Sequence, residues 1–146
     1  SKGAWNKASA APHMELIESV IGQNAGDGPS PAGMIGDLKE LMWTKVGMFR
    51  NGSDLNDALA SIRTLRQTDL QNLAVSADTI HNTSVVEWFE LRNGLLAMEA
   101  LAVAALNRRE SRGAHQRDDF PETLDSYHRS QRLWLENDAL VSSFAE

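Results

Sequence analysis

Apolar residues recur at intervals of three and four positions along most of the chain, which is the spacing of one face of an α-helix. This pattern predicts a short helix over residues 12–23, opened by Pro12. A second helix is predicted from residue 31 to about 46–49, with Ser30 as its N-cap. The segment between them, residues 22–33, is rich in Gly and Pro and therefore predicts a loop.

Two further helices follow the same spacing. Residues 50–54 hold turn and capping residue types, which predicts a break before a long helix over about residues 53–77. The next apolar run covers residues 85–109, with Asn82, Thr83 and Ser84 as candidate N-caps, and Ser84 lies at capping-box spacing from Glu87. Because this run is apolar nearly all round, we expect the helix to lie centrally in a bundle or to press one face on a partner domain.

The chain after this run has a different pattern. Residues 110–121 are charged and end on a proline, which predicts a structured loop. Beyond it, the apolar residues predict a strand over 131–135, a turn at 136–138 and a second strand over 139–144. A terminal helix over 124–135 is the alternative for this part.

Composition narrows the class of protein. The 146 residues, 42% of them hydrophobic, can bury one core, and the formal charge of −6 argues against nucleic acid or an anionic membrane surface as partners. Without cysteine, the chain cannot form disulfides, thiolate metal sites or a catalytic thiol. The sequence has no apolar run long enough to span a membrane, no signal-peptide pattern and no initiator Met. We expect a cytoplasmic chain that is either processed or excised from a longer protein.

Motifs for catalysis or metal binding are missing from the sequence. The four histidines lack any spacing that places two ligands on one helix face, and there is no P-loop, GxGxxG or nucleophile elbow. The acidic pair Asp118-Asp119 is more typical of solvated loop charge than of a general acid and base. Trp43, Trp88 and Trp134 lie in apolar patterns, so we expect them to pack in the core or in an interface.

Arginines are concentrated directly after the most apolar helix. Arg108, Arg109, Arg112 and Arg117 alternate with acidic residues. Cations are favoured at a helix C-terminus, where the last carbonyl groups also need hydrogen-bond donors. An anion site, a docking surface and an internal ion-pair network are all compatible with this arrangement.

Two segments carry a resemblance to a known family. Residues 110–121, ESRGAHQRDDFP, resemble the ESRGAHxRxDxP segment in the C-terminal helical domain of succinate dehydrogenase and fumarate reductase flavoprotein subunits. Residues 41–50, LMWTKVGMFR, are similar to the MWxKVGxFR segment of the same family. With Asn82 and the helix that follows it, the resemblance covers about residues 34–121. Ala114 favours this branch over the L-aspartate oxidases, which share the domain.

The resemblance implies a mainly α fold, an up-and-down, spectrin-repeat-like bundle of about three long helices, to which the pattern above adds a short C-terminal β-hairpin. It predicts that residues 1–30 form an N-terminal helix and loop, 31–121 the bundle, and 122–146 an extension of the same domain. The parent enzyme would interconvert succinate and fumarate with FAD, and its flavin-binding and dicarboxylate-binding segments would lie in preceding domains. We therefore expect a piece without catalytic, cofactor-binding or metal-binding residues, inactive by itself.

The resemblance also implies partners and docking residues. The FAD-binding and capping domains of the parent chain are the expected partners, an iron–sulfur subunit is a further candidate, and attachment to a membrane would run through partner subunits. The second segment contributes Trp43, Gly47 and Arg50. The expected docking residues of the loop are Arg109, Glu110, Ser111, Arg112, Gly113, Ala114, His115, Arg117 and Asp118.

Several alternatives stay open on the sequence alone. For Arg112 and His115, an ion-pair network that closes the bundle competes with docking. The chain could also be the same module of an L-aspartate oxidase-like enzyme, or a free-standing helical module that binds proteins, since fold does not decide function. An autonomous enzyme would need a pocket with paired titratable groups, which the sequence does not indicate.

Overall fold

The computed structural model describes residues 7–137 and 139–145, with side chains from residue 10 onward. Residues 1–6 of the predicted N-terminal unit and Asp138 of the predicted turn lie outside this part. The described chain forms four α-helices and two two-stranded sheets, so the predicted mainly α fold with a C-terminal hairpin is confirmed. The elements in chain order are α1 Lys7–Val20, α2 Pro31–Lys45, β1 Phe49–Arg50, α3 Gly52–Gln67, α4 Thr83–Asn107, β2 Gln116–Arg117, β3 Gln131–Glu136 and β4 Ala139–Phe144.

The first helix differs from its prediction at both ends. Pro12 lies inside α1 and does not open it, so α1 lacks one backbone hydrogen bond at this exposed position. The helix ends at Val20, and Gly22 then adopts a φ of +79°, which breaks the helical path.

The third helix ends ten residues before the predicted position. It stops at Gln67, and a short 3-10 turn over Asp69–Asn72 leads into extended chain. Gln23 holds this segment by donating its side-chain amide to the carbonyl oxygens of Leu70 and Leu73, at 2.9 and 3.1 Å. The apolar side chains predicted for a helix face remain buried, but contacts with the 22–24 turn replace the helical hydrogen bonds.

The helix starts are set by side-chain caps. Ser30 accepts a hydrogen bond from the backbone of Gly33 with Pro31 at the first position of α2, as predicted. In α4 the cap is Asn82, whose side chain accepts from the Val85 amide. The capping box predicted at Ser84 is wrong, because the Ser84 hydroxyl instead accepts from the Ser76 amide at 2.9 Å.

Helix α4 lies at the centre of the fold, in contact with α2, α3 and the hairpin, as its all-round apolar sequence predicts. Two groups of buried side chains form along it, and Met42 packs against both. Cluster 1 consists of Val20, Leu38, Ile62, Leu70, Leu73, Val75, Trp88, Leu91 and Leu95. Cluster 2 consists of Val46, Leu55, Ala58, Leu59, Ala102, Val103 and Ala105.

The hairpin β3–β4 closes one side of cluster 2. Its strands pair antiparallel from Gln131 with Phe144 to Glu136 with Ala139, so the alternative of a terminal helix is wrong. Leu133 packs against cluster 2, and Asn107 at the end of α4 donates to the Ser142 hydroxyl at 2.6 Å. Within residues 7–137 and 139–145, no helix has the length and apolar character needed to cross a bilayer.

Candidate functional site

The two segments that resemble the flavoprotein family meet in space. Strand β1 of the second segment pairs in parallel with β2 of the arginine-rich loop, placing Arg50 opposite Arg117. The Gln116 amide donates to the Met48 carbonyl at 3.1 Å, and the Asp118 amide donates to the Arg50 carbonyl at 3.0 Å. These bonds fix the loop to the end of α2, so both segments form one structural unit.

Glu110 is the anionic centre of the loop. Its side chain is fully buried and accepts hydrogen bonds from Arg108, Arg112 and the Leu124 amide, at distances between 2.6 and 3.2 Å. Hydrogen bonding from Arg112 is the main cause that lowers the pKa of Glu110 from 4.5 to about 2, against the opposing effect of burial. This carboxylate is therefore committed to internal contacts and is not available as a general base.

Arg117 links the ends of two helices. It is 2% exposed, and its guanidinium donates to the carbonyl oxygens of Ala105 and Leu106 at the end of α4, at 2.9 and 3.2 Å. The same group forms a bidentate ion pair with Asp119, both distances being 2.7 Å. Asp119 in turn accepts from the Gly52 amide at the start of α3, at 2.8 Å. Asp119 is exposed, as expected for a loop charge, and is at the same time paired with Arg117 and bonded to the start of α3.

His115 and Ser111 also bond within the loop. The His115 ring donates its Nε2 hydrogen to the Arg108 carbonyl at 3.0 Å, since a carbonyl oxygen can only accept. Burial lowers the pKa of His115, and the nearby charges of Arg50 and Arg117 lower it further. The buried Ser111 hydroxyl accepts from the Arg117 amide at 2.9 Å. The internal network that competed with docking is thus present in the structure.

The remaining predicted loop residues lie on its surface. Gly113 and Ala114 are exposed, and Gly113 has a φ of +58°, which suits a residue without a side chain in the tight turn between Arg112 and His115. Arg109 and Asp118 are exposed as well. The side chains of Arg109, Ala114 and Asp118 and the backbone of Gly113 are therefore accessible to a partner.

The second segment presents apolar side chains to solvent. Trp43 is 83% exposed, which excludes packing in the core of the described chain and leaves packing in an interface as the prediction for it. Met48 and Phe49 are 57% and 68% exposed. Trp134 is also largely exposed, whereas Trp88 is buried and donates its ring nitrogen hydrogen to the Leu70 carbonyl at 3.1 Å. Core packing is therefore confirmed for Trp88, and packing in an interface stays a prediction for Trp43 and Trp134.

Sequence reasoning missed two charged residues with structural roles. One is Asp119, whose signal is its position two residues after Arg117. The other is Glu99, which is 2% exposed in the middle of α4 and pairs with Arg63 and Arg66 of α3, at 2.9 and 3.2 Å. A lone carboxylate in the apolar stretch 94–106 of α4, with two arginines one turn apart on another helix, is the sequence signal for this contact.

Two observations on the described residues bear on metal and cofactor binding. They contain no cluster of three potential metal ligands. A groove of about 520 Å³ between α2 and α3 is lined mostly by apolar residues, and its ionisable lining residues are Asp37 and Asp69. Carboxylates repel the pyrophosphate of a dinucleotide, which is normally held by backbone amides and cations. The contacts of the arginine-rich loop therefore hold helix ends together and leave a surface exposed to solvent.

Comparison with known proteins defines the class. A family model described as the fumarate reductase flavoprotein C-terminal region matches residues 36–143, so the chain belongs to this family and is a C-terminal domain of the flavoprotein type. It is 38% identical over 118 residues to a fumarate reductase (CoM/CoB) polypeptide of Methanothermobacter marburgensis, covering 80% of this chain and 21% of that protein.

Other relatives agree with this class. An uncharacterised FAD-dependent oxidoreductase of Methanocaldococcus jannaschii is 32% identical over 137 residues, covering 90% of this chain and 24% of that protein. A structure of Escherichia coli quinol fumarate reductase has a TM-score of 0.85 at 22% identity, covering all of this chain and 26% of that one, which shows a shared fold. The chain thus spans about a quarter of the length of the curated relatives it matches.

Proposed function

We propose that this chain acts as the helical C-terminal module of a FAD-dependent oxidoreductase of the succinate dehydrogenase/fumarate reductase type. In this role it packs on the FAD-binding and capping domains of the parent chain and is not catalytic by itself. FAD and the interconversion of succinate and fumarate belong to the parent, and an iron–sulfur subunit is a further candidate partner. Membrane association, where it occurs, would run through partner subunits.

The observation that carries this proposal is the family match over residues 36–143, which lies at the C-terminal region of proteins about four times as long. The structure supports it through the loop chemistry, because Glu110 is bonded to Arg108 and Arg112, and Arg117 is bonded to Asp119 and to the end of α4. A loop with its charges paired in this way holds a shape and does not transfer protons. The loop residues from Arg109 to Asp118 would then keep the second segment in place at the domain interface.

The direct test has two parts. The reading frame upstream of Ser1 should continue through a flavin-binding domain with a GxGxxG fingerprint. The purified 146-residue chain should carry no flavin absorbance and should not reduce a dye with succinate. A reading frame that starts near Ser1 would favour a free-standing module that binds proteins, and flavin bound to the isolated chain would contradict the division of roles.

A further inference from the structure

Three large apolar side chains are exposed around the junction of α2 and β1. We call Trp43, Met48 and Phe49 the α2–β1 patch; their exposed fractions are 83%, 57% and 68%. Aromatic residues and methionine are enriched in the buried centres of protein interfaces, and they are uncommon at such exposure on a surface that stays in water. The patch lies at the end of α2, whereas the chain enters the fold through α1, which packs on cluster 1.

The patch is held in a fixed shape by the backbone beneath it. Gly47 turns the chain so closely over the last turn of α2 that a β-carbon there would lie 2.7 Å from the Trp43 carbonyl oxygen. The two residues after Met48 are paired with β2. A surface that is already ordered loses little conformational entropy on binding, which favours a docking role.

Next to this patch, the side chain of Arg50 contains a buried hydrogen-bond donor for which the described part of the chain offers no acceptor. Its Nε is buried and has no hydrogen-bond partner among the described residues, and burial together with the charge of Arg117 lowers the pKa of Arg50. Arg50 follows directly after the exposed Met48 and Phe49 and is itself only partly buried. An oxygen acceptor of a partner that covers the patch can therefore bond to the accessible part of its guanidinium group.

We propose that the α2–β1 patch docks the flavin-binding part of the same flavoprotein chain, with Trp43 and Phe49 as apolar anchors and an acceptor oxygen of that part bonded to Arg50. The inference rests on the proposed function. The flavin-binding part is the expected partner because about three quarters of the length of the relatives lies outside the matched region. A second copy of this chain is a poorer occupant, since a two-fold contact centred on the patch would bring two Arg50 side chains together.

Hydroxyl-radical footprinting of the full-length flavoprotein and of the 146-residue chain tests the contact. Oxidation of Trp43 and Met48 should be rapid in the 146-residue chain and several-fold slower in the full-length protein. Equal oxidation of both residues in the two samples would overturn the proposal. Protection in the 146-residue chain that disappears on dilution would also overturn it, because the occupant would then be a second copy.

Substitutions separate docking from a role in folding. Trp43→Ser and Phe49→Ser should lower the FAD content and the melting temperature of the full-length flavoprotein but leave the melting temperature of the 146-residue chain unchanged. Ile80→Ser is the matched control, because Ile80 is 75% exposed and belongs to the segment between the 3-10 turn and α4, which is not part of the patch. Equal destabilisation of both proteins by Trp43→Ser, or an equal effect of Ile80→Ser on FAD content, would contradict docking.

The experiment also distinguishes the two proposals from each other. An upstream reading frame without a flavin-binding domain refutes the proposed function and removes the partner on which the docking depends. A full-length flavoprotein with an unprotected patch leaves the proposed function intact and refutes only the docking surface. Arg50→Gln refines the second case, since it should accelerate oxidation of Met48 in the full-length protein if the acceptor oxygen contributes to the contact.

Discussion

At the scale of single residues, the arginine-rich loop is organised around a carboxylate that water does not reach. Glu110 receives donors from two arginines and from the backbone of Leu124, so the free energy gained by these bonds offsets the cost of removing a charge from water. Arg108 is held further by the rings of Tyr127 and Phe144, whose centroids lie 5.8 and 5.3 Å from its guanidinium carbon. The charge pattern of the loop therefore encodes its shape.

Glu110→Gln should destabilise the chain at pH 7 and change its pH profile. The folded pKa of Glu110 is about 2 against an ordinary 4.5, so its contribution is complete above pH 4.5 and is lost as the pH falls towards 2. We expect a loss of about 2–3 kcal/mol in the free energy of unfolding at pH 7, shrinking below pH 4.5. Urea unfolding from pH 7 to 2.5 measures this. Asp118→Asn is the control in the same loop, and a pH-independent difference would contradict the assigned role.

Gly47→Ala should also destabilise the chain, for a steric reason. The added carbon would lie 2.7 Å from the Trp43 carbonyl oxygen, a backbone atom that cannot rotate away. We expect a loss of about 1–3 kcal/mol in the free energy of unfolding. Gly36→Ala is the matched control in α2, because an added carbon there meets nothing within 4 Å, and it should stabilise by about 0.5–1 kcal/mol. The same sign for both substitutions in thermal or urea unfolding would refute the steric argument.

At the scale of elements, one short chain of contacts connects the end of α4 with the start of α3. Arg117 satisfies carbonyl groups that α4 leaves without partners, and Asp119 accepts from the Gly52 amide where α3 leaves donors without partners. The charges also suit the helix dipoles, with the cation at a C-terminus and the anion at an N-terminus. The two helix ends therefore share one capping pair.

Arg117→Met should weaken both helix ends at once. The substitution removes the donors to α4 and leaves Asp119 without its counter-ion, so we expect about 3 kcal/mol less stability in urea unfolding at pH 7. Amide exchange should accelerate at the first turn of α3 as well as at the last turn of α4. Arg109→Met, at an exposed position, should change stability by less than about 0.5 kcal/mol. Faster exchange in α4 alone would show that the pair does not couple the helices.

The N-cap of α4 gives a separate prediction. Asn82→Ala removes an acceptor for the Val85 amide and donors to the Ser76 and Asp78 carbonyls, and should cost about 1–2 kcal/mol. Thr83→Ala, one residue further along and exposed, is the control and should cost less than about 0.5 kcal/mol. Circular dichroism during thermal unfolding measures both, and equal effects would mean that Asn82 does not act as the cap.

The helices and strands show which parts of the fold can be predicted from the sequence. Local signals predicted α2, the break before α3, α4 and the hairpin, because caps, apolar spacing and turn residues act within a few positions. The end of α3 was not predictable in this way, since Gln23 and Asn24, far away in sequence, bind the carbonyls of residues 70–73. For Trp43 the sequence left core and interface packing open for a related reason: helical spacing shows that a residue lies on an apolar face but not whether this domain or another one covers it.

The candidate site was predictable in part. The two segments that resemble the family contain the residues that meet at β1 and β2. The hydrogen-bond partners of the charged loop residues, however, lie partly outside both segments. Asp119 bonds to Gly52, 67 residues earlier, and Glu110 bonds to the Leu124 amide, 14 residues later. Such contacts exist only after the helices are packed, so they follow from the tertiary structure.

At the scale of the whole molecule, the two core clusters lie along one helix and share Met42. Cluster 1 is closed by α1 and the 3-10 turn, and cluster 2 by the hairpin through Leu133. Ion pairs of Arg63 and Arg66 with Glu99 also connect α3 to α4. We therefore expect the described chain to unfold as one cooperative unit, although its N-terminal and C-terminal additions cover different clusters.

Leu55→Ala tests this cooperativity. Leu55 is fully buried in cluster 2, and its truncation should cost about 2–5 kcal/mol, depending on how far the cavity closes. If the molecule unfolds as one unit, the free energy of opening measured by native-state amide exchange should fall by the same amount at Leu91 and Leu95 in cluster 1 as in α3. Leu73→Ala, at an equally buried position of cluster 1, is the mirror variant and should accelerate exchange around Ala102. Acceleration confined to the mutated cluster in either variant would show two independently unfolding halves, and the domain would then depend on its partner surfaces to remain joined.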